Sequence, residues 1–126
     1  MILAEAITPC GPVLDAKAAE RLRGVVAEAV WTPALELAWP ALAPVFGASP
    51  YLASLVRRNP KRLAELLEAD PAERLDDILV RTVAVADLLP EAAEAPLRGL
   101  KQELHLLTAL ADLGGVWDLD LSLIHI

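Results

Sequence analysis

The sequence predicts an all-α fold, an irregular bundle of about five to six helices by the number of helix-start signals. Three observations carry that expectation. Alanine and leucine are abundant in a chain that is 56% hydrophobic but only 4% aromatic. Alanine loses no side-chain entropy on entering a helix, whereas β-branched and aromatic residues do. Ser49-Pro50, Asn59-Pro60 and Asp70-Pro71 each pair a capping side chain with proline. The cap accepts hydrogen bonds from N–H groups that the first helical turn leaves unpaired, and proline at the first helical position lacks only an N–H that would have no partner. Nothing before the last six residues alternates with the period of two that a strand needs.

Taken in order, residues 1–14 hold Pro9, Gly11 and Pro12 and read as an irregular N-terminal arm. Asp15 can cap a helix from Ala16 to about Val30, with Leu22, Val25, Val26 and Ala29 on its apolar face. Thr32-Pro33 starts another helix, expected to be short because Pro40 and Pro44 cut it. Two short capped helices follow, one over residues 50–58 with Leu52, Leu55 and Val56 facing inward, one over 60–69 with Leu63, Leu66 and Leu67. A longer helix covers 71–89, where Asp70 and Glu73 stand in a capping-box relation. Its expected buried stripe is Leu75, Ile78, Leu79, Thr82, Val83 and Ala86, and Pro90 is expected to end it. Pro96 then opens the longest apolar helix, up to Leu113, with Leu100, Leu104, Leu107 and Ala111 on one face. Gly114-Gly115 supplies the left-handed conformation that stops it.

At 126 residues the chain has room for one ordinary domain. Its 18 acidic and 11 basic side chains give a net charge of -7. Nucleic acid is therefore a poor candidate partner, since neutralising phosphates requires a concentrated basic face. Cys10 is the one cysteine, so no internal disulfide can form, which suits a reducing cytoplasm. Glu5 follows Met1-Ile2-Leu3-Ala4 with no basic or long apolar stretch of a signal peptide. The uncharged run 37–56 has a spanning length, but Pro40, Pro44, Gly47 and Pro50 would interrupt its hydrogen bonds in lipid. A buried loop with short helices is the better reading, and no membrane partner is expected.

The last six residues, Leu121-Ser122-Leu123-Ile124-His125-Ile126, do alternate like a strand, with no second strand to pair with. They are also the in-frame translation of a transposase sequencing-adapter end, CTG TCT CTT ATA CAC ATC. Residues 121–126 are therefore set aside from the fold, as a non-native scar on the start of a longer protein.

Several residues invite a chemical reading. Gly114-Gly115 followed by Asp118 and Asp120 has the ingredients of a nucleotidyltransferase signature, in which glycines approach a phosphate and paired aspartates hold Mg²⁺. Only Val116 and Trp117 separate the two parts, too few to run from a helix start into a strand. The glycines read as a helix stop and Asp118 or Asp120 as the cap of a following helix. Arg57, Arg58, Lys61 and Arg62 form the one basic cluster, at a helix–helix corner. It could dock an acidic partner or phosphate, but a solvated turn is the favoured reading, with Arg57 and Arg58 well placed near a helix C-terminus. His105 has no second histidine or cysteine at metal-ligand spacing, and His125 belongs to the adapter. Cys10 has no activating base nearby in sequence. Trp31 and Trp39 suit core or domain-interface packing.

The segments FGASPYLASLVRRNPKRLAELL and LRGLKQELHLLTALADLGGVWDLD, within residues 41–120, resemble the helical N-terminal region of the bacterial bifunctional glutamine synthetase adenylyltransferase/adenylyl-removing enzymes. The shared wording is SPYL, then R-x-P and L-x-x-L, and further on a helix leading to a D-L-x-G stop. Gln102 and His105 depart from it, standing where that family often has basic residues or isoleucine. The resemblance implies residues 15–120 as the helical lead-in to the adenylyl-removing half. In that family one nucleotidyltransferase domain removes AMP from a glutamine synthetase tyrosine by phosphorolysis, and a second attaches AMP from ATP. Both need Mg²⁺, PII signalling proteins set the balance, and the location is cytoplasmic. The Asp-x-Asp motif would lie downstream, so the resemblance implies no catalytic, cofactor-binding or metal residue within this chain, and the chain alone should be inactive. The residues by themselves leave open a non-enzymatic helical interaction scaffold.

Overall fold

Five consecutive capping side chains start five of the helices in the computed structural model, which describes residues 1–117. Asp15, Thr32, Ser49, Asn59 and Asp70 each accept a hydrogen bond from a backbone N–H two or three residues on, at 3.0–3.3 Å. They open α2 (Ala16–Ala29), α3 (Pro33–Ala48), α4 (Pro50–Arg58), α5 (Pro60–Glu68) and α6 (Pro71–Ala86). With α1 (Leu3–Ala6) and α7 (Pro90–Leu113) they make seven helices and no strand among the described residues. The fold is all-α, with slightly more helices than the sequence suggested. Asp118, Asp120 and the 121–126 segment lie outside the described residues.

Helix α3 is the hub. Leu35, Leu42, Val45 and Phe46 are almost fully buried, and α1, α2, α4, α5 and α7 all pack on it. It is not cut at Pro40 and Pro44, contrary to the sequence expectation; both lie inside one continuous helix. Each interior proline costs about 3 kcal/mol through a lost hydrogen bond and a steric clash. Burying a large apolar side chain returns about 1.5–3 kcal/mol, and Leu35, Trp39, Leu42, Val45 and Phe46 are all buried. Burial wins. Trp31, Trp39 and Phe46 form an aromatic row with ring centroids 5.9 and 6.2 Å apart, so the tryptophans serve the core.

The N-terminal arm is not irregular throughout. Leu3, Ala4 and Ile7 are buried, and the Leu3 amide donates to the Ala69 carbonyl at 2.9 Å, tying α1 to the α5–α6 joint. The segment is too short to show a helical period, which is why the pattern missed it. The longest helix begins at Pro90, not Pro96, so Pro90 opens α7 where the sequence expectation made it a stop for the helix before. Pro96 is tolerated inside because Ala92, whose carbonyl loses its partner, is exposed and open to water. Leu79, Val83 and Ala86 of the expected α6 stripe are exposed, as are Val25 and Ala29 of α2; only Ile78 of that α6 stripe is fully buried.

α7 ends in a Schellman motif. Val116 N–H reaches Ala111 O at 2.8 Å and Gly115 N–H reaches Asp112 O at 3.2 Å, with Gly115 at φ 74°. Gly114 is held for a different reason: a Cβ there would collide with Ile7 Cγ1 and the Leu110 carbonyl. Its own carbonyl accepts from the Thr8 N–H at 2.8 Å and the Thr8 hydroxyl at 2.9 Å, clamping the arm to the end of α7. Gly114→Ala should therefore lower stability by about 1–3 kcal/mol, the usual cost of overpacking, read as a shift in the chemical-denaturation midpoint. A midpoint equal to that of the parent chain would refute the clamp.

Candidate functional site

Charged side chains converge where α5, α6 and α7 meet. Glu103, on α7, is 5% exposed and is the only buried charged residue among those described. Helical spacing puts Arg74 and Arg81 of α6, seven residues apart, on one side of that helix two turns apart. Arg74 Nε donates to Glu103 Oε1 at 2.6 Å, and Arg81 Nη2 reaches both carboxylate oxygens at 3.2 Å. Arg74 also faces Glu65 at 3.7 Å and Arg81 faces Asp77 at 2.9 Å. Beside them Arg62 donates to the Gln102 side chain at 3.4 Å. Arg62, Glu65, Arg74, Arg81 and Glu103 line an open cavity of about 470 Å³ together with Pro96, Gly99 and Leu100.

Charge accounting decides what this cluster is for. Glu65, Asp77 and Glu103 each face Arg74 or Arg81, so every carboxylate of the cluster is engaged in an ion pair. A buried carboxylate with two guanidinium partners is held where it is, and removing one member leaves the others uncompensated. The arrangement fastens α6 to α7. Arg81 Nε is buried without a partner, the one such side-chain atom among the described residues.

The described residues among those singled out in the sequence do not assemble into a reaction centre, while Asp118, Asp120 and His125 lie outside the described residues. Arg57, Arg58 and Lys61 are exposed at the α4–α5 corner, and Arg62 alone turns inward, to Gln102. His105 Nδ1 lies 2.8 Å from the Tyr51 hydroxyl, at the edge of an apolar cavity of about 520 Å³ that Leu52, Leu75, Leu104 and Trp117 help to line. No carboxylate within hydrogen-bond reach of that ring orients it as a general base among the described contacts. Cys10 is exposed. No group of three or more histidine, cysteine or acidic side chains is placed to hold a metal ion among the described residues. No described helix is long and apolar enough to cross a membrane. Sequence reasoning missed the Arg74–Glu103–Arg81 cluster, because Glu103 lies 29 and 22 residues from its two arginines and nothing local marks it as buried.

With no reaction centre in view, similarity to known proteins carries the functional information. The family model for glutamate-ammonia ligase adenylyltransferase matches residues 39–126. The chain belongs to that family. A bifunctional glutamine synthetase adenylyltransferase/adenylyl-removing enzyme of Caulobacter vibrioides is 54% identical over 94% of this chain, which covers 12% of that protein. Proteins of the same name from Bradyrhizobium diazoefficiens and Rhodopseudomonas palustris are 46% and 42% identical over 55% and 61% of the chain, covering 7% and 8% of their own length. No solved structure matches. The chain thus spans a small part of the adenylyltransferases it matches.

Asp70 shows how such a helical piece responds to pH. Its carboxylate caps α6 at Ala72 and Glu73 and also accepts from the Met1 amino group at 3.2 Å. The backbone hydrogen bond from Glu73, then the amino terminus, hold its pKa below the ordinary aspartate value. The folded state then binds fewer protons than the unfolded one, so this contribution is complete above the ordinary aspartate range and is lost as pH falls through the depressed value. Asp70→Ala should lower the melting temperature at neutral pH and flatten its decline in acid. Glu103→Ala should cost about 1–3 kcal/mol, less than a fully buried pair because Arg81 is partly solvated. Urea titration checks it, and an unchanged midpoint would refute the fastening role.

Proposed function

We propose that this chain is the helical lead-in to the adenylyl-removing half of a longer enzyme. That enzyme attaches AMP to a glutamine synthetase tyrosine and removes it again, regulating nitrogen assimilation in the cytoplasm. The observation that carries the reading is 54% identity across 94% of the chain to a protein of that name. In the longer protein ATP supplies the AMP, Mg²⁺ neutralises the phosphates, and PII proteins set the direction.

The described residues do not fit the metal. Mg²⁺ requires free hard oxygens in octahedral array, and the carboxylates that come together, Glu65, Asp77 and Glu103, each face an arginine. No step of nucleotidyl transfer is therefore routed through them. The role left to these residues is mechanical. They form a packed helical body whose α7 is clamped at Gly114 and tied by Glu103, giving whatever follows a fixed point of departure.

The test uses AMP labelled in ATP, with unmodified glutamine synthetase as acceptor. The complete polypeptide encoded by the source gene should transfer label to a tyrosine and release it with phosphate. The 126-residue chain should do neither above background. Transfer by the short chain, or an inactive complete polypeptide lacking any nucleotidyltransferase domain, would overturn the reading.

A further inference from the structure

Helix α6 carries apolar residues on two sides. Leu75, Ile78 and Val85 face the core, while Leu79, Val80 and Val83 are 49%, 68% and 68% exposed. Leu88 and Leu89, between the two helices and at the start of α7, and Leu97 on α7 are exposed as well. A surface helix normally confines its apolar residues to one stripe, and one that is apolar around most of its circumference is buried on more than one side. Yet among the described residues α7 is the only helix with which α6 makes extensive contact. Large exposed apolar side chains grouped on one helix face mark an interaction site.

Two facts identify what covers it. This chain accounts for 12% of the relative it matches over most of its length, so most of such a protein lies outside these residues. Trp117, the last described residue, also lies beside α6: it shares one cavity with Asp70, Pro71 and Ala72, and another with Leu75. From Pro71 to Val83 a helix rises about 18 Å, a span that about six extended residues cover. We propose that the Leu79–Val80–Val83 face of α6, with Leu88, Leu89 and Leu97, is the docking surface for the polypeptide downstream of residue 120. The inference rests on the longer protein of the preceding subsection, but not on its activity.

The experiment is done on the complete polypeptide and reads contact, independently of AMP transfer. With p-benzoylphenylalanine placed at Val83, irradiation and peptide mapping should give an intramolecular cross-link to a residue beyond 120. A cross-link to a second copy, a link only within residues 1–120, or no link overturns the proposal, as does a gene that encodes nothing downstream. Because the benzophenone is bulky, thiol labelling supplies a gentler probe. In a Cys10→Ser background, Leu79→Cys and Val83→Cys should each react at least about tenfold more slowly in the native protein than in guanidinium, as expected for a site exposed only on opening. Native rates equal to the unfolded ones overturn the proposal. Failure of these tests in a protein that still transfers AMP would reject the docking surface alone. Success in an inactive protein would leave it standing while rejecting the activity.

Discussion

Burial of α3 is the constraint on which the other helices depend. It is the element most completely removed from water, and α1, α2, α4, α5 and α7 reach their positions by covering it. The same burial explains why the chain tolerates Pro40 and Pro44 in the middle of a helix. Those prolines remove donors that would bond to Glu36 and Pro40 carbonyls, a local loss that a solvent-exposed helix of this length would not survive. Here the helix is held from outside by its neighbours, so the ladder need not be complete. Tertiary packing sets the secondary structure at this point.

The α6–α7 hairpin obeys a different rule. Its inward apolar contribution is small on the α6 side, where only Pro71 and Ile78 are fully buried. Polar fastening makes up part of the difference. Glu103 gathers Arg74 and Arg81 from two turns of α6, and Asp70 ties the start of that helix to the amino terminus. Such ties specify register more than they add stability, because desolvating a carboxylate offsets much of what its partners return. A hairpin aligned by ion pairs, with an apolar back, keeps its shape while leaving surface for something else to bind.

How far the sequence foretold this depends on which force was acting. Caps are local, and Asp15, Thr32, Ser49, Asn59 and Asp70 all start helices as their side chains require. The inward faces of α4 and α5 were equally legible, since Leu52, Leu55, Val56, Leu63, Leu66 and Leu67 are all buried. Where propensity and packing disagree, the reading failed: proline looks like a stop whether or not neighbours bury the helix, so the continuity of α3 and the early start of α7 were hidden. α1 was hidden because one turn carries no period. The ion cluster was hidden because Glu103 is one acidic residue among many until the fold brings two arginines to it.

The misread face of α6 is of another kind. Leu79 and Val83 were expected to be buried because they keep helical spacing with Leu75 and Ile78, and that spacing is real. In the structure the residues fall on the outer side of α6, since the arc from Leu75 to Val83 is wider than one neighbouring helix can cover. A helix written for two neighbours and observed with one extensive contact is a statement about missing surroundings. It agrees with the small share of its relatives that this chain covers, and also with the lack of an assembled reaction centre among its described side chains. The chemistry-bearing residue types are present, but each is taken up by capping, by ion pairing or by solvent. In this part of the molecule the sequence specifies how helices start, stop and pack. Its functional meaning comes through the family it belongs to.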